Sequence, residues 1–245
     1  MMRNAIVLII GNEILSGKTQ DENLRFFATE LAALGIELTE ARVIRDEEAS
    51  IISQVNETRR IATYVFTTGG IGPTHDDITA ASVAKAFGVD LVCDEEAVRR
   101  LSARSPLSEA RLKMCHVPRG STLIDNPISQ APGFQLDNVF VLAGVPNIAR
   151  AMFNSLGPRL IAGDPIRSAS VEAGLSEGAI ATQLAAIAAR FPQVEIGSYP
   201  FFRDPDYGVN VVARARDSAQ VGAVIEEVTQ LMRALGSEPK PGDQP

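Results

Sequence analysis

Apolar positions follow two alternating rhythms through the first part of the chain. Ala5–Ile10 is an unbroken apolar run closed by Gly11, the pattern of a strand buried on both faces. Leu24, Phe27, Leu31 and Leu34 then recur at helical spacing, and Gly35 supplies the stop. Ile36–Ile44 is β-rich, and Glu47–Arg60 reads as a helix with Ile51, Ile52 and Val55 on one face. Ala62–Thr67 is the next strand and Asp77–Phe87 the next helix, ended by Gly88. From Asp94 to Met114 the chain is charged and helical. Pro118, Gly120, Asn126-Pro127 and Pro132-Gly133 then break it into loops and the short strands Ser121–Ile124 and Val139–Leu142. A helix over Asn147–Leu156 stops at Gly157-Pro158. This alternation predicts an α/β domain with a mostly parallel sheet covered by helices on both faces.

The order changes after Gly157–Pro165, a stretch containing Gly-Pro and Gly-Asp-Pro that marks a boundary between a first domain over 1–160 and a module over 166–235. The module reads as strand 166–175, helix 176–190, strand 194–202, a turn over 204–208, strand 209–216 and helix 218–235. That order suits a small α+β sheet of the split βαβ kind, with helices on one face. Residues 236–245, rich in Gly, Pro and charge, read as a disordered tail.

Composition narrows the function classes. A 245-residue chain with 45% hydrophobic residues can bury one large core or two modest ones. Its net charge of −7 disfavours a general nucleic-acid binder, which needs a basic face. Small anionic ligands stay open. Cys93 and Cys115 are too few for a disulfide framework, so a reducing cytoplasm is expected. The apolar run near the N-terminus is too short to span a bilayer and has no small-residue cleavage site, so it reads as a buried strand rather than an anchor or leader.

Residues 69–79, Gly-Gly-Ile-Gly-Pro-Thr-His-Asp-Asp-Ile-Thr, carry the strongest chemical signal. Glycines between a strand and a helix bring backbone N–H groups close to a phosphate. Asp76 and Asp77 stand where a plain phosphate loop carries a lysine. Gly11-Asn-Glu-Ile-Leu-Ser-Gly-Lys-Thr19 invites a Walker A reading and fails it. Five residues separate its glycines instead of four, and Glu13 would repel the phosphates.

Four segments should leave strands at one edge of the sheet: Gly11–Asn23, Arg45-Asp46, Thr68–Thr79 and Asn126–Gly133. Ligands in open α/β sheets bind at such edges. Glu13, Asp21, Asp46, Asp76 and Asp77 could converge there around a divalent cation; hard oxygens suit Mg²⁺ or Mn²⁺, and Co²⁺ is the further metal to try. Three of these acids also fit a helix cap: Asp77 with Thr74 as a capping box, Asp21 near Glu22, and Asp46 before Glu47. His75 and His116 lack ligand-spaced partners, and Ser16 has no base for a nucleophile triad.

These residues resemble a known family. Gly-Asn-Glu-Ile-Leu-Ser-Gly at 11–17, Asp21-Glu-Asn23, the motif at 69–79, Asn126 with Ala-Pro-Gly-Phe at 131–134, and Gly-Val-Pro at 144–146 look like the MoaB/Mog-type molybdopterin-binding domain. The version is that of the CinA N-terminal part and of the N-terminal domain of eukaryotic FAD synthases. The match spans roughly residues 4–156, and residues 166–235 resemble the KH-like segment that follows.

The resemblance implies a three-layer αβα fold and a site for an adenine nucleotide or a pterin phosphate, with molybdopterin as a possible ligand. It implies phosphate binding by the N–H groups of Gly69, Gly70 and Gly72, and a ligand surrounded by Gly11, Asn12, Glu13, Ser16, Asn23, Thr68, Pro73, Thr74, Thr79, Asn126, Pro132 and Gly133. Asp46, Asp76 and Asp77 would be catalytic, with Glu13, Asp21, Asp46 and Asp77 on the metal. The chain departs from the family at Ser129, Ala143 and Asn147, where glycine, Leu-Pro and glutamate are usual.

The activity implied is metal-dependent hydrolysis of a nucleotide diphosphate such as ADP-ribose or FAD. Molybdopterin binding or adenylyl transfer in cofactor assembly is one alternative, and a non-catalytic nucleotide sensor is another. A homo-oligomer without membrane or nucleic-acid partners is expected. The nicotinamide-nucleotide amidase domain of full-length CinA is not among these residues, so deamidation is not assigned. The KH-like segment lacks a Gly-x-x-Gly clamp between basic residues and gives no reason to expect RNA binding.

Overall fold

A computed structural model describes residues 3–103, 106–203 and 206–242. The chain divides into two compact units, 1–163 and 164–245.

In the first unit, β1 (Asn4–Ile10), β2 (Glu37–Ile44), β3 (Tyr64–Thr68) and β8 (Val139–Leu142) form the parallel part of a six-stranded sheet. The antiparallel strands β7 (Gly133–Leu136) and β6 (Thr122–Ile124) complete it in the order β2-β1-β3-β8-β7-β6. The period of two along β1 explains why the layers number three. Ala5, Val7 and Ile9 pack with Phe27 and Leu31 of α2 (Asn23–Ala33) and with Met152, Phe153 and Leu156 of α7 (Pro146–Leu156). Ile6, Leu8 and Ile10 pack on the other side with Ile51 and Val55 of α3 (Glu48–Ile61) and with Val83 and Ala86 of α4 (Thr79–Phe87). Phe66 is the centre of the first layer, with the Phe27 ring 5.4 Å away and the Phe140 ring 5.2 Å away. The three-layer αβα expectation is met.

The charged stretch expected to be helical over 94–114 is instead two short helices, α5 (Glu95–Ser102) and α6 (Glu109–Lys113). They lie beside the antiparallel pair β4 (Leu91–Cys93) and β5 (His116–Pro118). Pro132-Gly133, expected to be loop, opens β7. A Cβ on Gly133 would lie 2.3 Å from the Val141 carbonyl oxygen, so only glycine lets β7 lie this close to β8.

The second unit contains β9 (Arg167–Ala173), α8 (Glu177–Arg190), β10 (Glu195–Arg203), β11 (Asp206–Ala215) and α9 (Ser218–Ala234). Strand β11 is antiparallel to both neighbours, which leaves β9 and β10 parallel across it, the split βαβ arrangement. Val209, Val211 and Ala213 face a core built with Ile180, Ile187, Val224 and Val228. The turn expected over 204–208 is partly strand, since β11 starts at Asp206; residues 204–205 lie outside the described residues.

The tail is also corrected. Lys240–Pro241 forms β12 against β9, and Lys240 reaches Glu172, a carboxylate 2% exposed that also takes two hydrogen bonds from Arg203. A buried carboxylate needs such partners, and the tail supplies one. Residues 243–245 lie outside the described residues. Among the described residues no helix is long and apolar enough to cross a membrane.

Candidate functional site

The strand order turns at β1 and β3, and the loops leaving their C-terminal ends meet there. Gly69 has φ +100°, and a Cβ on it would lie 2.1 Å from the Ile10 carbonyl oxygen. Gly70 has φ +66°, and a Cβ there would lie 2.1 Å from Thr79 Oγ1. Both positions therefore need glycine, for backbone conformation and for space. Buried Thr79 locks the turn: its N–H donates to the Gly70 carbonyl and its hydroxyl to the Gly69 carbonyl, each at 3.0 Å.

The Gly69 N–H donates to the Leu142 carbonyl at 3.2 Å, which corrects its expected role as a phosphate donor. The N–H groups of Gly70, Ile71 and Gly72 have no partner among the described residues, and all three residues line a cleft of about 560 Å³. That volume admits a nucleotide-sized ligand.

Four acids line the same cleft: Glu13 on α1 (Asn12–Leu15), Asp46 after β2, and Asp76 and Asp77. Asp46 does not cap α3. Its Oδ2 accepts from the Asn12 N–H at 2.8 Å, tying the end of β2 to the loop leaving β1. Burial pushes the Asp46 carboxyl above its ordinary value. The Asn12 N–H opposes that rise, and the charges of Glu13, Asp76 and Asp77 add to it. Asp76 moves the other way, lowered first by the Thr74 hydroxyl and then by its own backbone N–H.

Thr74 and Asp77 do not form a capping box. The helix begins at Thr79 with Ile78 at its N-cap, and Thr74 donates both its N–H, at 2.8 Å, and its hydroxyl to Asp77 Oδ2. A hydroxyl has one proton, and in this geometry it goes to Asp77.

The expected metal set is not gathered whole. Asp21 lies outside the cleft lining and caps α2, its Oδ1 accepting from the Leu24 N–H at 2.8 Å. Among the described residues no three His, Cys, Asp or Glu side chains form a cation cage. Glu13, Asp46, Asp76 and Asp77 line one cleft without forming such a cage.

Several expected ligand residues instead build the walls. Asn126 lines the cleft, but its amide donates to Ser129 Oγ and the Ala131 carbonyl while its carbonyl accepts from the Ile128 and Ser129 N–H groups. Ser129, a departure from the family pattern, thus serves the loop itself. Asn23 is buried and donates to the Gly144 carbonyl at 2.8 Å. Ser16 donates to the Glu13 carbonyl, and Asn12 enters through its backbone. Gly11, Asn12, Ser16, Asn23, Thr68, Thr74, Thr79 and Gly133 do not line the cleft. Pro73 does.

Sequence reasoning missed Thr19, Ile71, Met114 and Pro146 in the lining. It also missed a second pocket of about 440 Å³ that shares Gly70, Ile71, Gly72, Asp77 and Met114 with the first. Leu112, Val117, Pro132 and Phe134 make its walls apolar. No local signal marks α6 and β5 as its far side.

Residues 6–162 match the family described as "Probable molybdopterin binding domain". The chain belongs to the molybdopterin-binding domain family. Residues 165–238 match the "FAD synthase, middle domain". A relative from Archaeoglobus fulgidus is 34% identical over 227 residues, 93% of this chain and 97% of its own. The "Probable FAD synthase" of Caenorhabditis elegans is 30% identical over 94% of this chain, which spans half of that protein's length. Among solved structures, CinA from Thermoplasma acidophilum is similar at 32% identity and a TM-score of 0.61, over 64% of this chain and 98% of that one. The CinA-type member of the family expected from the motifs is what these comparisons support.

Proposed function

We propose that this molybdopterin-binding-domain protein holds the diphosphate of an adenine nucleotide, such as ADP-ribose or FAD, in the acidic cleft and hydrolyses it. The observation that carries the reading is the sharing of one cleft by the unclaimed N–H groups of Gly70, Ile71 and Gly72 and by carboxylates of divided basicity. N–H groups in a glycine turn suit phosphate oxygens. A carboxylate with raised affinity for protons suits a general base.

Glu13 and Asp77 would hold a divalent cation, Mg²⁺, Mn²⁺ or Co²⁺, together with water and the substrate, leaving Asp46 free to act as base. When bound it would neutralise phosphate charge and polarise the phosphorus. The chain's own part is to bind the diphosphate at Gly70–Gly72 and to take the proton from the attacking water on Asp46. The new P–O bond then forms as the bridging P–O bond breaks, and AMP leaves with one of the two phosphates. Purified protein with Mg²⁺, Mn²⁺ or Co²⁺ should release AMP from ADP-ribose or FAD; no release with any of the three metals refutes the reading.

The family description favours a second reading, in which the same cleft takes the phosphate of molybdopterin for binding or adenylyl transfer. Pterin-dependent adenylylation with ATP and Mg²⁺, without AMP release from dinucleotides, would select it. Tight nucleotide binding with no turnover under any metal would instead mark a sensor. The leading reading places the protein in the cytoplasm, where the free thiols Cys93 and Cys115 would stay reduced, as a homo-oligomer measurable by light scattering.

A further inference from the structure

The motif at 69–79 places carboxylates where a phosphate loop usually has a lysine, yet a lysine reaches it from elsewhere in the chain. Lys113 ends α6, 39 residues beyond Thr74, and its ammonium donates to the Thr74 carbonyl. Its charge acts on Asp76. Among the described residues lining the two pockets, Lys113 is the only lysine or arginine. It lines the apolar pocket, whose shared wall with the acidic cleft is Gly70–Gly72.

A diphosphate entering a cleft with four carboxylates meets net repulsion unless positive charge stands nearby. Backbone N–H groups offset only part of it. An ammonium has three N–H donors, and Thr74 uses one, so Lys113 can be held in place and still donate outward. The Thr74 contact also restrains a flexible four-carbon stem before any ligand arrives, which lowers the cost of ordering it on binding.

We propose that Lys113 is a phosphate-binding residue of this site: anchored on the Thr74 carbonyl, it pairs with a diphosphate oxygen at the Gly70–Gly72 wall and favours ligands carrying two phosphates over neutral nucleosides. The inference rests on the nucleotide reading above and adds to it the residue that selects for charge. The ammonium, beside the bound cation, then adds to the affinity that the second phosphate contributes.

The test is calorimetric binding of adenosine, ADP and inorganic pyrophosphate to the full chain, in excess Mg²⁺, for the wild type, Lys113→Met and Lys113→Arg. Lys113→Met should weaken ADP and pyrophosphate by about tenfold or more, the size of one charge-assisted hydrogen bond, and leave adenosine within about twofold. Lys113→Arg should restore most of the loss.

Equal losses for adenosine and ADP would show that Lys113 only braces the Thr74 loop and would overturn the proposal. Unchanged ADP and pyrophosphate binding in Lys113→Met would overturn it as well, as would a wild type that binds no pyrophosphate. Failure of the nucleotide reading is separate: the wild type then binds pyrophosphate in a Lys113-dependent way but neither binds adenosine nor releases AMP from ADP-ribose.

Discussion

Asp46 at the end of β2 accepts a hydrogen bond from the backbone N–H of Asn12 at 2.8 Å, so the acid of the cleft whose carboxyl is pushed up is clamped to the neighbouring strand's loop. The clamp fixes a carboxylate that burial and three nearby acids all disfavour in its charged form.

Replacing Asp46 with Asn keeps an acceptor for the Asn12 N–H and removes the charge. A carboxyl whose folded-state pKa is raised above its ordinary 3.8 favours the fold below that value, and the benefit is lost as pH rises through the raised value. In metal-free buffer the variant should therefore match the wild type at the acid end and exceed it above the raised value, by a difference that then stays level to pH 8 and that solvent screening keeps small. Thermal midpoints across that range check this; a wild type more stable than the variant at pH 8 contradicts it.

Gly70 and Gly17 both sit at positive φ, but their surroundings differ. A Cβ on Gly70 would meet Thr79 Oγ1 at 2.1 Å, whereas one on Gly17 meets nothing within 4 Å. Gly17→Ala should cost only the backbone strain, about 1 kcal/mol, and Gly70→Ala about 2–3 kcal/mol, with loss of ligand binding. Urea unfolding of the two variants separates crowding from backbone strain, and equal costs would show that the Thr79 contact does not matter.

Glu172 gives the tail its hold. Burial alone would raise its carboxyl, but hydrogen bonds from Arg203 and Lys240 outweigh it and keep the group below its ordinary 4.5. A depressed pKa contributes stability above the ordinary value, and that contribution is lost as pH falls through the depressed one. Glu172→Gln at pH 7 should speed amide exchange of Gly242, whose N–H donates to the Ser170 carbonyl, about tenfold or more. The wild type should show the same release only in acid. Unchanged exchange in the variant would mean that β12 holds by its backbone alone.

Much of the fold was legible because both faces of its central strands are buried, so Ala5–Ile10 announces itself by composition. The glycine motif was legible because its requirements are local: positive φ and close approach leave no other residue. The rest depends on contacts distant in sequence. Asp46 reads locally as a cap for α3, and only the register of β1 against β2 shows that it binds Asn12. Asp21, with the same local pattern, is indeed a cap. Thr74 and Asp77 have capping-box spacing, but Thr79's bonds to Gly69 and Gly70 delay the helix by two residues. Lys113 reaches the site from α6, which no pattern in 69–79 could indicate. Lys240 finds Glu172 across a sheet edge that a Pro- and Gly-rich tail does not advertise.

The central claim is that the Gly70–Gly72 wall and the Asp46 side of one cleft act together on a diphosphate. The direct measurement is AMP release from ADP-ribose with Mn²⁺ by the wild type, Asp46→Asn and Asp77→Asn, each checked for retained fold by circular dichroism. Turnover by the wild type, reduced at least about a hundredfold in the folded Asp46→Asn protein, is the predicted result. Wild-type turnover that persists undiminished in Asp46→Asn, or none with Mn²⁺, Mg²⁺ or Co²⁺, would contradict it.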